Sequence, residues 1–183
     1  MRRLPEIINA SQMRSINRTA ILEVIRQNSP IARSEVGRML GLSLPTVMRI
    51  VDELFQENMV RYNEQEKNNI RRRELIEYHK DGHAVIGINL DGVNLYGALA
   101  NIGGDIITEM TVEQYGAERD EGLNLLSNVI EKLLQYPRSE KQSILGISIG
   151  VPGVTQVKNG IVEWAPSLKW RNLALRDILE KRF

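Results

Sequence analysis

Residues 43–49 bring together groups that could hold a nucleic acid. Ser43 and Thr46 carry hydroxyls, Pro45 lies between them, and Arg49 carries a guanidinium. If this stretch opens a helix, the helix N-terminus and the hydroxyls can bind phosphate while Arg49 reaches a base edge or a second phosphate. The alternative is structural, because any packed unit of three helices has a solvated outer face that can carry an arginine.

A second group of cations lies in the polar segment between two short apolar runs, 59–62 and 75–78. The runs predict a β-hairpin, and the triplet Arg71-Arg72-Arg73 precedes its second strand. A hairpin with a basic edge directly after a third helix is the layout of a winged helix-turn-helix. In such folds the wing lies against the DNA backbone or minor groove and adds salt-sensitive affinity. A solvated charged loop is the alternative.

Three helices are predicted to position these groups. The first covers residues 16–28 with Ser15 as a plausible N-cap, and the second covers 34–40, where Gly41 can supply a left-handed ending. The third starts at Ser43, which can cap it, and tolerates Pro45 in its first turn. Its apolar stripe consists of Val47, Ile50, Val51 and Leu54. At about 100° per residue, Pro45 and Arg49 lie opposite that stripe.

Charge and composition narrow the class of protein. Residues 1–80 have a net charge of +4 and residues 81–183 a net charge of −3, a basic bias that is weak support for nucleic-acid binding by itself. The absence of cysteine excludes disulfides, thiolate metal sites and a cysteine nucleophile. No apolar run approaches the length of a signal peptide or a membrane span, so we expect a cytoplasmic protein without membrane attachment.

The second half of the sequence has the pattern of an α/β sheet. Residues 84–90, 94–100 and 106–112 read as three strands, with turns at 91–92 and 103–105. A helix over 120–136 and a buried strand over 144–150 follow. This order predicts half of an actin-like, sugar-kinase sheet domain, so the chain divides into domains 1–80 and 81–183.

The motifs resemble those of the ROK family (repressors, open reading frames, kinases). In the first half, residues 31–36, 41–47 and 49–54 are similar to its winged-helix module. In the second half the similar segments are 87–94, at the place of the family's phosphate-binding loop, the Gly-x-Pro-Gly turn within 146–154, and 162–175. The resemblance implies a winged helix-turn-helix followed by the first lobe of an actin-like α/β domain.

The resemblance also implies a set of DNA contacts. They carry over to Arg33, Ser43, Leu44, Pro45, Thr46, Arg49, Arg71 and Arg72. Leu44 stands where a polar or basic residue is common in the family, which puts one phosphate contact in doubt. The wing reads Ile-Arg-Arg-Arg at 70–73, where family repressors usually have Gly-Arg-Arg-Pro.

Departures from the family pattern argue against an enzyme. A kinase loop needs a carboxylate for magnesium, and a glycine and a threonine at the nucleotide phosphates. Here Asn89, Asp91 and Val93 stand in those places, so we expect neither ATP nor a metal or other cofactor to bind. The family's catalytic aspartate and its sugar-gripping and zinc residues come after the segment at which Phe183 ends the chain. His79 and His83 are expected at the surface.

A sugar site is the remaining candidate of the second half. By resemblance it would involve Gly153, Ser167, Trp170 and Asn172, at turns that follow sheet strands, where ligands usually bind. The alternative is that Trp164 and Trp170 are core aromatics and Gly153 only shapes a turn.

These observations predict a sequence-specific DNA-binding transcriptional regulator, a repressor of carbohydrate-utilisation genes. Its partners would be a double-stranded DNA operator, a sugar or sugar-phosphate effector bound weakly, and further copies of itself in a homo-oligomer. The alternatives are a sugar kinase or its inactive remnant, and a module that binds protein through its three helices. Because the second half is an open half of a two-lobed fold, we also expect exposed apolar surface.

Overall fold

The computed structural model describes residues 9–63, 74–113, 118–138 and 142–183. They form two compact units, which divide between Gly82 and His83. Each unit has its own cluster of buried apolar side chains. None of the helices in these ranges is long and apolar enough to cross a membrane.

The first unit consists of three helices and a small sheet. Its elements are α1 (Ala10–Asn28), β1 (Ile31–Ala32), α2 (Arg33–Leu40), α3 (Leu44–Gln56), β2 (Val60–Tyr62) and β3 (Leu75–Tyr78). The sheet order is β1-β3-β2 with both pairings antiparallel. The predicted hairpin strands are therefore confirmed, and β1 adds a strand that the sequence pattern did not indicate.

Helix α1 begins six residues before the predicted start, and Ser15 is not its cap. Asn9 is the N-cap: its Oδ1 accepts from the Gln12 amide at 2.8 Å, and Gln12 Oε1 accepts from the Asn9 amide at 2.8 Å. This reciprocal capping box satisfies two amides that the helix itself leaves unpaired. The prediction was wrong because the first turn carries no apolar periodicity and is fixed by capping instead.

The apolar stripe of α3 lies at the centre of the first unit, as predicted. Its four residues, Val47, Ile50, Val51 and Leu54, are fully buried. They pack with apolar residues from α1, α2 and the sheet: Ile21, Ile25, Ile31, Val36, Val60 and Ile76. Gly41 ends α2 in the left-handed region at φ 65°, which confirms the predicted break before α3.

The second unit combines two sheets with two helices. Its elements are β4 (His83–Leu90), β5 (Asn94–Asn101), β6 (Ile106–Glu113), α4 (Arg119–Leu134), β7 (Ser143–Gly150), β8 (Val154–Gln156), β9 (Ile161–Ala165), a 3-10 turn (Pro166–Leu168), β10 (Trp170–Leu173) and α5 (Leu175–Glu180). The larger sheet has the order β6-β5-β4-β7, with β7 parallel to β4, and the smaller sheet has the order β10-β9-β8. Helix α4 contributes Leu126, Val129, Ile130 and Leu133 to a core shared with both sheets.

Strand β7 is an edge strand of the described sheet, which corrects the prediction of a buried strand. It pairs with β4 on one side, and Leu145 is 51% exposed. Ile144 and Ile147 pack against the core from one face of β7. The continuous apolar sequence of β7 therefore belongs to a strand with one covered face and, in the described sheet, one unpaired edge. An apolar groove of about 660 Å³ runs beside β7, lined also by Leu179 and Phe183, and this agrees with the expected exposure of apolar surface.

His83 is buried, contrary to the predicted surface position. The side chain is 8% exposed, and Nδ1 lies 2.7 Å from Ser143 Oγ. The parallel pairing of β4 with β7 places these two residues in register. The sequence placed His83 before the first strand, whereas it is the first residue of that strand and has a hydrogen-bond partner across the sheet.

We expect Ile50→Ala to destabilise the protein by about 2–5 kcal/mol, because it removes three buried carbons from the centre of the first core. Met48→Ala on the same helix is the matched control, since Met48 is 45% exposed and should change stability by no more than about 0.5 kcal/mol. Urea unfolding followed by far-UV circular dichroism measures both. Equal shifts for the two variants would contradict the assignment of the buried face.

Candidate functional site

The first two turns of α3 present the predicted contact residues to solvent. Ser43, Leu44, Pro45 and Arg49 are exposed and Thr46 is half-buried. Ser43 is the N-cap residue, but its hydroxyl lies 2.9 Å from Thr46 Oγ1 and does not cap an amide. The helix N-terminus therefore has no side-chain cap, and its amide dipoles point outward.

Arg49 differs from the other arginines of the first unit. In the ranges 9–63 and 74–82 it is the one arginine that has no carboxylate partner. The others form ion pairs: Arg14–Glu53, Arg18–Glu57, Arg26–Glu23, Arg33–Asp52, Arg38–Glu35 and Arg61–Glu77. A cation without an internal partner on an exposed helix face is free to pair with a phosphate or a base edge.

Two of these ion pairs connect α1 to α3. Arg14 Nη2 lies 2.6 Å from Glu53 Oε1, and Arg18 pairs with Glu57 one turn further along both helices. The pairs neutralise carboxylates that would otherwise repel a phosphate backbone near Arg49. Neither arginine was predicted to have a functional role. The signal was present in the sequence, because the two arginines and the two glutamates share a spacing of four residues.

Arg33 was predicted to contact DNA, but its side chain is 16% exposed and already engaged. Nη2 donates to Tyr62 Oη at 3.2 Å and to Asp52 Oδ1 at 3.4 Å. The guanidinium carbon lies 5.5 Å from the ring centroids of both Phe55 and Tyr62. This placement argues against a direct contact, since two rings and a carboxylate occupy the positions that a phosphate would take.

The predicted wing contacts Arg71 and Arg72 lie outside the described residues. The base of the hairpin is described: the Asn63 amide donates to the Leu75 carbonyl at 2.9 Å. Arg61 pairs with Glu77 across the two strands at 2.7 Å. The hairpin that would carry the two arginines is therefore formed up to Asn63 and from Glu74 onward.

In the second unit, the turn at Asp91 is closed by its own carboxylate. Asp91 Oδ1 accepts from the Val93 amide at 2.8 Å and from the Asn94 amide at 2.7 Å. The amide of Asn94, and next that of Val93, holds the pKa of the Asp91 carboxyl below its usual range. In a phosphate-binding loop such amides point at the ligand. Here a side chain of the protein already occupies them.

The residues around this turn come close together. Gly92 has φ 93°, and a Cβ at this position would lie 2.8 Å from Ser167 Oγ, so only glycine allows the turn to approach Ser167. On the neighbouring strands Asn89 is paired with Gly150. The predicted sugar residue Ser167 and the loop at Asp91 thus form one continuous surface, which the sequence did not indicate.

The other predicted sugar residues have different environments. Trp170 is 1% exposed and belongs to the core of the second unit, in agreement with the alternative of a core aromatic, and this burial argues against its predicted sugar contact. Asn172 is exposed, with a left-handed backbone at φ 47°. Gly153 has φ 108°, and a Cβ there would meet the Trp164 carbonyl oxygen at 2.2 Å. Trp164, the other candidate core aromatic, is instead exposed.

Comparisons with known proteins agree with both units. A family model described as "Winged helix-turn-helix DNA-binding" matches residues 14–61. The chain is similar to the xylose repressor of Caldicellulosiruptor bescii, with 33% identity over 177 residues, covering 96% of this chain and 44% of that protein. It is also similar to the DNA-binding transcriptional dual regulator NagC of Escherichia coli K12, with 23% identity over 183 residues, 97% of this chain and 44% of that protein.

The fold is similar to that of a solved structure. A crystal structure of a ROK family transcriptional regulator, described as a homologue of the E. coli MLC protein, superposes with a TM-score of 0.76 at 23% identity. The superposition covers 92% of this chain and 43% of that chain. The chain therefore spans somewhat less than half the length of the relatives that it matches.

The fold and the exposed face of α3 define a winged helix-turn-helix followed by a partial actin-like α/β domain. The chain is therefore similar in fold to a ROK family transcriptional regulator and similar in sequence to a xylose repressor.

The Asp91 turn should be visible in a pH titration. Because the pKa of Asp91 is lowered in the folded protein, its hydrogen bonds stabilise the turn above the ordinary aspartate pKa and are lost as the pH falls through the lowered value. In two-dimensional NMR spectra, the Val93 and Asn94 amide resonances should move together with a midpoint below that of a free aspartate. Asp91→Asn should abolish this movement, and a midpoint at or above the ordinary value would refute the turn geometry.

Proposed function

We propose that this chain is a sequence-specific DNA-binding transcriptional regulator, a repressor of carbohydrate-utilisation genes that responds to a sugar. The observation that supports this most directly is Arg49, a cation on the exposed, uncapped start of α3 that has no carboxylate partner among the described residues. The names of two relatives, a xylose repressor and an N-acetylglucosamine repressor, support the same function. The operator would be double-stranded DNA.

Each exposed group of α3 has a role in this proposal. Arg49 makes a forked contact to a guanine edge or to a phosphate. The hydroxyls of Ser43 and Thr46 and the amides of the first turn hold a backbone phosphate. Leu44 and Met48, both about half-exposed and one turn apart, contact thymine methyl groups, which are the apolar feature of the major groove.

The wing adds affinity without reading sequence. Arg71 and Arg72, which lie outside the described residues, would pair with phosphates beside the site read by α3. Because such contacts release counterions from DNA, their contribution falls as the salt concentration rises. Their loss is therefore expected to weaken binding to all sequences alike.

The second unit would carry the effector. We propose that a sugar binds weakly at the surface formed by the Asp91 turn and Ser167, together with Gly153 in the turn before β8 and Asn172 on β10. Xylose is the first candidate, because the relatives with 33% identity are named for it. A sugar phosphate is a less favourable effector at the Asp91 turn, where a carboxylate already holds the amides.

We propose that the chain is not an enzyme. Asn89 cannot supply the negative charge by which a carboxylate would hold magnesium. The Asp91 carboxylate occupies the amides that would bind a nucleotide phosphate, and its charge would repel that phosphate. The regulator would act in the cytoplasm as a homo-oligomer, since palindromic operators are read by symmetric pairs of helices.

Arg49→Ala should cost about 1–3 kcal/mol in affinity for the preferred duplex and relax its sequence preference. The duplex is obtained by letting the wild-type protein enrich a random DNA pool, and affinity is measured by fluorescence anisotropy. Arg38→Ala is the matched control, because Arg38 is an exposed arginine on α2 that pairs with Glu35. If the wild type enriches no sequence, or if both variants lose equal affinity, the proposed function fails.

Xylose should perturb the second unit at the proposed surface. In amide NMR spectra we expect the resonances of Ser167 and Asn172 to shift with an apparent dissociation constant in the millimolar range. The amide of Asn159, in a turn after β8, is the internal control and should not move. Shifts absent at Ser167 and Asn172, or equal at Asn159, would disprove the proposed sugar surface.

A further inference from the structure

Arg33 occupies a junction of the elements that the proposed function assigns to DNA binding. It is the first residue of α2, its side chain reaches Asp52 and Phe55 on α3, and it also reaches Tyr62 at the end of β2. A further ion pair, at 3.7 Å, joins Nη1 to Glu74 directly before β3. One guanidinium therefore contacts the third helix, strand β2 and the residue that precedes β3.

Two aromatic rings lie close to the guanidinium of Arg33. The centroids of Phe55 and Tyr62 are 4.6 Å apart with an interplanar angle of 34°, and the guanidinium carbon is 5.5 Å from each. A planar cation against aromatic rings is held in orientation by stacking as well as by charge, which an ammonium group cannot reproduce. Because Phe55 belongs to α3 and Tyr62 to β2, the contact connects the helix to the hairpin.

The buried Nε of Arg33 makes an unfavourable contribution to the free energy of folding. Nε is buried and makes no hydrogen bond among the described residues. A buried donor without a partner is unfavourable and needs compensation from the surrounding contacts. The ion pairs with Asp52 and Glu74 are long, and both carboxylates are largely exposed, so they compensate little. The cation–π contacts with Phe55 and Tyr62 and the hydrogen bond to Tyr62 stabilise the arrangement.

The backbone around Arg33 is fixed to the same hairpin. Strand β1, which leads directly into Arg33, pairs Ile31 with Ile76 and Ala32 with Leu75 on β3. On the other side of β3, Tyr62 pairs with the same Ile76. Arg33 is thus attached to β3 through its backbone neighbours and to β2 through its side chain.

We infer that Arg33 is a positioning residue that sets the angle between α3 and the wing, and that it does not contact DNA itself. This inference rests on the proposed function. Arg33 would then contribute to DNA affinity indirectly, through the wing. Without its contacts, the hairpin would not be held in the position that lets the wing arginines pair with phosphate while α3 contacts the bases. The carboxylates of Asp52 and Glu74 beside the guanidinium oppose a phosphate at that place.

A double-mutant cycle tests the inference. Affinities of the full chain for the enriched duplex are measured by fluorescence anisotropy at several salt concentrations. The variants are Arg33→Ala, the pair Arg71→Ala with Arg72→Ala, and the combination of all three changes. We expect Arg33→Ala to weaken binding about tenfold and to lower the salt slope, as the loss of one or two phosphate contacts would. In the background without the wing arginines, Arg33→Ala should have no further effect.

Two conservative variants separate geometry from charge. Arg33→Lys keeps the charge but not the planar group, so it should lose nearly as much affinity as Arg33→Ala. Tyr62→Leu keeps Arg33 and removes the stacking ring, and it should weaken binding in the same wing-dependent way. If Arg33→Ala failed to fold, these two variants would still decide the question.

Three results would overturn the inference. If Arg33→Ala lost as much affinity in the variant without Arg71 and Arg72 as it does in the wild type, Arg33 would be a direct DNA contact. Unchanged affinity in Arg33→Ala and Arg33→Lys with a lowered Tm would make it a purely structural residue. If the wild-type protein enriched no DNA sequence, the proposed function itself would fail. This outcome is distinct from failure of the inference about Arg33, because it appears before any variant is compared.

Discussion

The first unit depends on the burial of one side of α3. Val47, Ile50, Val51 and Leu54 are buried by apolar residues from two helices and a small sheet, and at about 25 cal/mol per Å² of apolar area this burial is the largest stabilising contribution available to so small a unit. When one side of a helix is buried in a core, the residues on the opposite side are exposed to solvent. The exposure of Pro45 and Arg49 is therefore a consequence of the core.

Charge pairing determines what that exposed side can bind. The carboxylates of α3 would make its outer surface negative if they were unpaired. Arginines from α1 and α2 reach three of them, at Asp52, Glu53 and Glu57, and Arg49 is left as the unpaired charge of the described helix. Each exposed pair contributes little to stability, so the pairs matter more for the electrostatic potential around α3 than for folding.

Most of the fold could be predicted because its signals are local. The α3 stripe, the Gly41 ending and the order of strands follow from periodicity and from residues with special backbone preferences. Apart from the start of α1, which a local capping box sets, the errors concern features set by contacts distant in sequence. The pairing of His83 with Ser143 spans 60 residues, the junction at Arg33 depends on rings 22 and 29 residues away, and the burial of Trp170 depends on packing between sheets and a helix. Exposure of an arginine or a tryptophan cannot be derived from its type alone.

The Asp91 turn also bears on how such a loop could change over time. Its carboxylate replaces an external anion, so the turn is complete without a ligand. Exchanging Asp91 for glycine would empty the two amides and still leave Asn89 without the charge that magnesium requires. Exchanging Asn89 for aspartate alone would add a second carboxylate two residues from the first. Neither single exchange therefore supplies both the free amides and the lone carboxylate that a kinase phosphate loop needs.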